Sequence, residues 1–293
     1  MVYMEKKIKI DDYPYEYLYG FLSDATVLNK GEKANVFKLG DKVYKVFDAP
    51  KSYEYIKNQG GHELFSGKLI SLATLDIPFG SIPSEIIYNT DSVGKKDILC
   101  YISEYLGEEF THGMFDYETT IMLYQDLAKK FQALSDNGLV NPDGFNFGNL
   151  RIMKDNTLGI VDFDGMQFNE VFTTQSRTDH FDRFLSANSD ILPSYYSLID
   201  NTYTKNVNVF NHIALFLYDM IGLNVANYNE NYIKYLINDI GIENNDINEK
   251  IISLFKSGEK VYFTDADFED LKNNYKIVDA KGFTGTTKKF SRK

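Results

Sequence analysis

Two polar residues, Asn149 and Asp162, lie at the two ends of a short strand–turn–strand segment. Asn149 precedes the apolar run 150–152 and Asp162 follows the run 159–161, with turn residues between the runs. Because a hairpin brings its two ends together, an amide oxygen and a carboxylate would converge here. Mg²⁺ prefers a few protein oxygens together with phosphate oxygens. The pattern predicts a magnesium site, and an ordinary hairpin with polar ends is the alternative interpretation.

Lys45 lies in the apolar segment 43–47 (VYKVF), which is typical of a strand. Its side chain would point to the face opposite its two sequence neighbours. One interpretation is an exposed lysine on an amphipathic strand, and the other is a cation for the α- and β-phosphates of a nucleotide. The second needs a carboxylate partner. Glu63, on a helix predicted farther along the chain, is the candidate, and Glu54 is the fallback.

The segment 31–36 (GEKANV) lies between two predicted strands. A turn of this kind can present backbone N–H groups to a phosphate when little side chain intervenes. A single glycine in a hairpin is common, so the segment indicates phosphate binding only in combination with other features.

Short strands and turns dominate the chain before residue 107. The alternation predicts five strands and one helix, the helix being weakened by two adjacent glycines. The strands are expected at 26–28, 35–39, 42–47, 82–89 and 98–104, and the helix at 52–75. The dipeptide Gly40-Asp41 is a hairpin turn signal between the second and third strands.

Helical spacing of apolar residues dominates the chain after residue 107. Helices are expected at 116–137, 207–221, 229–255 and 265–274, with Gly138 as a stop signal for the first. The fold class expected is α+β, a small mixed lobe followed by a larger helical lobe. The expected division is an N-terminal extension 1–24, a small lobe 25–106, a helical lobe 107–280 and a flexible basic tail 281–293.

In order and spacing, these parts together resemble the protein-kinase superfamily, whose signature is G-x-G-x-x-G-x-V, V-A-I-K, H-R-D-x-x-x-x-N and D-F-G. The segment 29–36 (NKGEKANV) keeps only the middle glycine, and 43–45 (VYK) stands for the lysine strand. The separation of Asn149 and Asp162 is the usual one between the catalytic-loop asparagine and the D-F-G aspartate. The segment 162–165 (DFDG) is similar to D-F-G with one extra residue. The resemblance covers roughly residues 28–222.

The resemblance implies a bilobal protein-kinase-like fold that binds ATP and Mg²⁺. It implies that Lys45, supported by Glu63, binds the phosphates and that Asn149 and Asp162 bind the metal. It also implies nucleotide contacts from the glycine loop and from the hinge. These would come from Gly31, Ala34 and Val36 in the loop, and from the Glu104 carbonyl and the Leu106 amide in the hinge.

The main departure from the family pattern lies in the catalytic loop, 140–149 (VNPDGFNFGN). The position five residues before Asn149 is Gly144, whereas the family has an aspartate there. A loop one residue longer would place Asp143 near the acceptor hydroxyl, with Asn141 in place of the histidine. A pseudokinase, or an enzyme that positions its acceptor differently, is the alternative.

The expected activity is ATP- and Mg²⁺-dependent phosphoryl transfer to protein serine or threonine hydroxyls. A pseudokinase that binds nucleotide without turnover is a second hypothesis, because the glycine loop and the H-R-D motif are degenerate. A small-molecule kinase of the aminoglycoside or choline type is a third, since no A-P-E motif follows residue 165. Transfer of AMP is a further possibility.

Composition narrows the class of partner. The formal net charge of −11 argues against a nucleic-acid-binding surface, and a single cysteine excludes an intrachain disulfide. No signal peptide and no apolar run of about 20 residues is visible, so neither export nor a membrane partner is expected. We therefore expect a cytoplasmic protein. The richness in Lys, Ile, Asn and Tyr indicates an AT-rich bacterial or phage genome.

Overall fold

The chain divides into two units in a computed structural model. Unit 1 comprises Met1–Gly107 and Gly159–Ser176, and unit 2 comprises Glu108–Leu158 and Arg177–Lys293. The structure describes residues 9–12, 15–90, 94, 96–111, 113–144, 146–168, 196–197, 202–203, 207–208, 211–212, 215–216, 219 and 264–274. The protein is a mixed α+β protein with a small, mainly antiparallel sheet and several helices, as the sequence predicts at this coarse level. Within the described residues, no helix has the length and apolar character needed to cross a membrane.

Unit 1 is built on a six-stranded sheet with the order β1-β5-β6-β4-β3-β2. Its strands are β1 Lys9–Asp12, β2 Thr26–Lys30, β3 Asn35–Leu39, β4 Lys42–Val46, β5 Pro83–Thr90 and β6 Lys96–Glu104. Strand β1 is parallel to β5, and the other neighbours are antiparallel. The five predicted strands are confirmed as β2–β6. Strand β1 was not predicted, and it comes from the segment expected to be an N-terminal extension.

The two faces of strand β4 have different environments. Gly40, in the predicted hairpin turn, has φ +61°, which glycine adopts without steric cost. Tyr44 and Val46 are buried in the core that packs against helix α1 (Tyr15–Phe21). Lys45 lies on the other face, where its cross-strand neighbours are Val36 of β3 and Tyr101 of β6. The predicted strand therefore presents its lysine away from this core.

The predicted helix 52–75 is two helices, α2 (Ser52–Asn58) and α3 (Gly61–Ala73). The break falls at Gly60 and Gly61, whose φ angles of +92° and +90° lie outside the helical region. Helix α3 buries Phe65, Leu69 and Leu72. The aromatic rings of Phe47, Tyr55, Phe65 and Tyr101 pack together beside α3.

The segment after residue 158 belongs to unit 1 and is anchored on residues 79–81. The Ile160 N–H donates to the Phe79 carbonyl (2.8 Å), and the Ser81 N–H donates to the Ile160 carbonyl (3.0 Å). Strand β10 (Leu158–Ile160) leads into a 3₁₀ turn, Phe163–Gly165, and then into β11 (Gln167–Phe168). Phe163 is fully buried against Gly80. This anchoring fixes the backbone on both sides of Asp162.

The first helix of unit 2 is α4 (Tyr117–Asp136), which Asp116 caps by accepting from the Thr119 N–H at 2.8 Å. Gly138, at φ +76°, follows the end of α4, as predicted. The remaining strands are β7 Glu108–Glu109, β8 Leu139–Val140, β9 Leu150–Ile152, β12 Tyr196–Ser197 and β13 Thr202–Tyr203. A final helix spans Asp265–Asn274, close to its predicted position.

The predicted helix 207–221 is described only in part. Its described residues are helical and buried, and they recur at the spacing of one helix face: Val207, Asn208, Asn211, His212, Leu215, Phe216 and Asp219. The predicted helix 229–255 and the predicted tail 281–293 lie outside the described residues.

Candidate functional site

Lys45 is the centre of a cluster of charged residues in unit 1. Its Nζ forms ion pairs with the carboxylates of Asp162 and Asp164, the second at 2.7 Å. The Lys45 side chain is only 13% exposed. Burial alone would lower the pKa of Lys45, but the two carboxylates outweigh burial and raise it well above its ordinary value. Lys45 is therefore a permanently charged cation at this point.

Asp162 is the accessible carboxylate of the cluster, with 41% of its side chain exposed. Its φ of +68° and ψ of +38° lie in the left-handed region, which is uncommon for a non-glycine residue. Such a conformation is retained where surrounding structure enforces it, and it is often found at functional sites. Here the anchored strand β10 precedes Asp162 and the buried Phe163 follows it.

Asp164 is the buried carboxylate of the cluster, and none of its side-chain surface is exposed. Its Oδ1 accepts from Lys45 Nζ and from the Tyr101 hydroxyl, both at 2.7 Å, and its Oδ2 accepts from the Tyr55 hydroxyl at 2.8 Å. Burial would raise the pKa of Asp164, but the charge of Lys45 and these hydrogen bonds lower it. Burial and the two carboxylates raise the pKa of both tyrosines, so both hydroxyls stay protonated and donate.

A second lysine, Lys68 of α3, is buried beneath this cluster, with 2% of its surface exposed. Its Nζ donates to the Asp164 carbonyl oxygen (2.7 Å) and to Gln59 Oε1 (3.1 Å). Burial lowers the pKa of Lys68 to about 8, against the opposing effect of the two aspartates. No local sequence pattern marks Lys68, Tyr55 or Tyr101 as members of this cluster. For Asp164, the signal is the additional aspartate in the segment DFDG.

The expected pairing of Lys45 with Glu63 requires correction. Glu63 is exposed in the first turn of α3, and the fallback Glu54 is exposed on α2. The carboxylates that contact Lys45 are those of Asp162 and Asp164. The physical reason is that the buried face of α3 carries Phe65, Lys68 and Leu69, so its buried charge is a cation.

The predicted phosphate loop is a closed turn. The Gly31 N–H donates to the Ala34 carbonyl at 3.1 Å, so this amide is engaged within the turn itself and not presented outward. The turn is tied to the start of α2, because Ser52 Oγ donates to the Lys33 carbonyl at 2.6 Å. Ala34 is buried, and Val36 is the cross-strand neighbour of Lys45. Of the three predicted loop residues, Val36 is the one adjacent to the charged cluster.

The predicted hinge follows the end of β6. The Glu104 side chain is exposed and forms an ion pair with Lys42, and Leu106 is half-buried. The Tyr105 N–H donates to the Asp41 carbonyl at 2.9 Å. Ser103 is buried, and its hydroxyl shares a hydrogen bond of 2.7 Å with the hydroxyl of Ser81. The roles expected of the Glu104 carbonyl and the Leu106 amide stay predictions.

Asp143 and Asn149 are in contact within unit 2. Asn149 Nδ2 donates to the Asp143 carbonyl (3.0 Å) and to Asp143 Oδ2 (3.2 Å). These bonds use the amide nitrogen and leave Oδ1 as the acceptor atom of Asn149. The loop before them is held by Asn208, whose Oδ1 accepts from the Asn141 N–H at 2.9 Å.

Gly144 has a packing reason to be glycine. A Cβ at this position would lie 2.5 Å from Asn211 Nδ2, which itself donates to the Asn141 carbonyl at 2.5 Å. A side chain at position 144 would break this contact. The aspartate available in the loop is therefore Asp143.

The donor types at the predicted metal ligands fit Mg²⁺, which binds through oxygen. Asp162 offers an accessible carboxylate and Asn149 offers an amide oxygen. Among the described residues, no group of three or more His, Cys, Asp or Glu side chains could hold a metal ion.

No protein-family model matches the chain, and no curated protein matches it.

Proposed function

We propose that the chain is an ATP- and Mg²⁺-dependent phosphotransferase with a bilobal protein-kinase-like fold. The observation that carries the proposal is the Lys45 cluster. It combines a strand lysine, an accessible aspartate in the left-handed conformation and the D-F-D-G segment in one unit. A charged, partly buried lysine beside an accessible carboxylate is the arrangement that binding of nucleotide phosphates and Mg²⁺ requires.

The contact between Asp143 and Asn149 supports the catalytic half of the proposal. In H-R-D-x-x-x-x-N loops, the aspartate accepts the substrate hydroxyl proton and the asparagine binds a metal ion. The hydrogen bonds from Asn149 Nδ2 orient its Oδ1 as a possible ligand and restrain Asp143. These bonds support the interpretation that the catalytic loop is one residue longer than in the family pattern, with Asp143 as its aspartate.

The proposed reaction is transfer of the γ-phosphoryl group of ATP to a hydroxyl, with protein serine and threonine as the first acceptors to test. A bond forms between the acceptor oxygen and the γ-phosphorus, and the bond to the β–γ bridging oxygen breaks, which releases ADP. Lys45 would hold the α- and β-phosphates, and Asp143 would take the acceptor proton. Mg²⁺, bound by Asp162 and Asn149, would neutralise charge on the phosphate oxygens.

The test combines binding and transfer in one set of proteins. We expect ATP to raise the melting temperature of the parent only when Mg²⁺ is present, and Asp162→Asn to remove the Mg²⁺-dependent part. With γ-labelled ATP, we expect label transfer by the parent and at least about a 100-fold loss in Asp143→Ala, since general base catalysis contributes about that much. A protein extract and a set of hydroxyl-bearing metabolites serve as acceptors.

The outcomes separate the proposal from its alternatives. Binding without transfer to any acceptor would make the chain a nucleotide-binding pseudokinase. Transfer to a metabolite but not to protein would make it a small-molecule kinase. Absence of any Mg²⁺–ATP effect on the parent would contradict the proposal as a whole.

A further inference from the structure

We infer that Asp164 is the positioning residue for Lys45, in place of a carboxylate on helix α3. This inference rests on the proposed function, because Lys45 is taken to bind the nucleotide phosphates. It adds that the lysine is held by the D-F-D-G segment itself, whose Asp164 is held in turn by two tyrosines, so that the placement of the lysine does not depend on an ion pair with α3.

The side chain of Asp164 is fully used by the protein. Both carboxylate oxygens accept hydrogen bonds, from Lys45, Tyr101 and Tyr55, and none of the side chain is exposed. A carboxylate in this position does not reach a ligand directly. It acts on the site through Lys45.

The two aspartates therefore have different roles around one lysine. Asp162 is 41% exposed, so its carboxylate is accessible from solvent, while Asp164 is enclosed. The 3₁₀ turn at Phe163–Gly165 separates them by two residues and directs both carboxylates to Lys45 Nζ. If Asp162 engages a metal ion, Asp164 still holds the lysine.

Helix α3 contributes a buried cation, Lys68, and not the carboxylate that was expected. Lys68 donates to the Asp164 carbonyl oxygen, while Glu63, five residues earlier, is exposed. The buried lysine supports the backbone of the turn that carries Asp164. The tyrosines come from two further elements, Tyr55 from α2 and Tyr101 from β6. Three elements thus fix Asp164, and Asp164 in turn fixes Lys45.

The test measures the dissociation constants of Mg²⁺–ATP and of adenosine for the full chain. Adenosine lacks phosphates and reports the integrity of the base site alone. We expect Asp164→Asn to weaken Mg²⁺–ATP about 10- to 100-fold, the usual effect of a hydrogen bond to a charged group, and to leave adenosine within about twofold. Glu63→Gln should leave both constants within about twofold of the parent.

Two further sets of variants test the route of action. Tyr55→Phe and Tyr101→Phe each remove one hydroxyl from Asp164 and should weaken Mg²⁺–ATP by a smaller factor, about 2- to 10-fold. If Asp164→Asn does not fold, these two tyrosine variants test the role of Asp164 in its place. The double variant Lys45→Met with Asp164→Asn should bind Mg²⁺–ATP no more weakly than Lys45→Met alone, because Asp164 acts through Lys45.

Several results would overturn the inference. Parental Mg²⁺–ATP affinity in Asp164→Asn and in both tyrosine variants would do so, as would equal losses in Glu63→Gln and Asp164→Asn. An equal loss of adenosine and Mg²⁺–ATP in Asp164→Asn would mean a purely structural role. If the parent binds neither ligand, the proposed function fails and this inference fails with it. If the parent binds both ligands, the proposed nucleotide binding stands, and the variants then test the role of Asp164 alone.

Discussion

The charged cluster of unit 1 and the loop of unit 2 hold their proposed functional residues by different forces. In unit 1, Lys45, Lys68 and Asp164 are buried or nearly buried charges that satisfy one another. In unit 2, Asp143 and Asn149 are held together by hydrogen bonds that the Asn149 amide donates to the Asp143 carbonyl and carboxylate. Removing one member of a buried charge cluster leaves the others uncompensated, whereas losing one amide hydrogen bond costs little. Substitutions in the Lys45 cluster should therefore affect stability as well as chemistry, whereas substitutions of Asp143 or Asn149 should affect chemistry more than stability.

The largest effect on stability is expected from Asp164→Ala. This change leaves the Lys45 pair with only one carboxylate and removes the acceptor of two tyrosine hydroxyls, so unit 1 should lose about 3–5 kcal/mol. Asp143→Ala is the matched change in unit 2, where we expect a loss of about 1 kcal/mol. Urea unfolding followed by hydrogen exchange of peptides from α3 and α4 measures the two units separately. Equal destabilisation by the two substitutions would contradict the contrast between the units.

An intermediate effect is expected from the titration of Lys68. Because its pKa is about 8 in the folded protein and 10.5 when unperturbed, the unfolded chain binds more protons between these values. The free energy of unfolding should therefore rise with pH from about 8 to 10.5. Lowering the pH from about 10.5 to 8 should remove on the order of 3 kcal/mol of this free energy in total.

Lys68→Met is the control for this pH dependence, since methionine has similar length and no titratable group. The parent and the variant share all other titrating groups, so the difference between their free energies of unfolding isolates Lys68. Urea denaturation at pH 7, 8, 9 and 10 gives that difference. A constant difference across this range would mean that the buried lysine keeps its ordinary pKa.

Local patterns were sufficient to predict much of unit 1. Strands β2–β6 follow from alternation and from the Gly40-Asp41 turn, and the strand position of Lys45 follows from its apolar neighbours. Strand β1 has only four residues, two of them aspartates, and pairs in parallel with the distant β5, so no local signal marks it. The adjacent glycines Gly60 and Gly61 indicated a weakened helix, but not that the segment forms two separate helices.

The charged cluster was only partly predictable, because, as with β1 and β5, some partners are distant in sequence. Lys45 and Asp162 occur in short, recognisable contexts, but the partners of Asp164 are far away in sequence. Tyr55 and Tyr101 are 109 and 63 residues from it. No periodicity in α3 distinguishes Lys68 as buried or Glu63 as exposed before the packing of the helix is known. The chemistry of single residues was thus easier to predict than their pairing.

A smaller effect on stability than that of Asp164→Ala is expected from Gly80→Ala, which tests how firmly the backbone around Asp162 is anchored. An added Cβ would lie 2.5 Å from the ring of the fully buried Phe163, which cannot move without disturbing its neighbour Asp162. Overpacking of this kind costs about 1–3 kcal/mol.

Gly20→Ala is the control for Gly80→Ala, because Gly20 lies in helix α1 with nothing within 4 Å of an added Cβ. It should stabilise by about 0.5–1 kcal/mol through helix propensity. Urea unfolding measures both changes, and titration with Mg²⁺–ATP should show weaker binding only in Gly80→Ala. Unchanged Mg²⁺–ATP binding in a destabilised Gly80→Ala protein would mean that the conformation of Asp162 is set by its contact with Lys45 and not by the packing of Phe163.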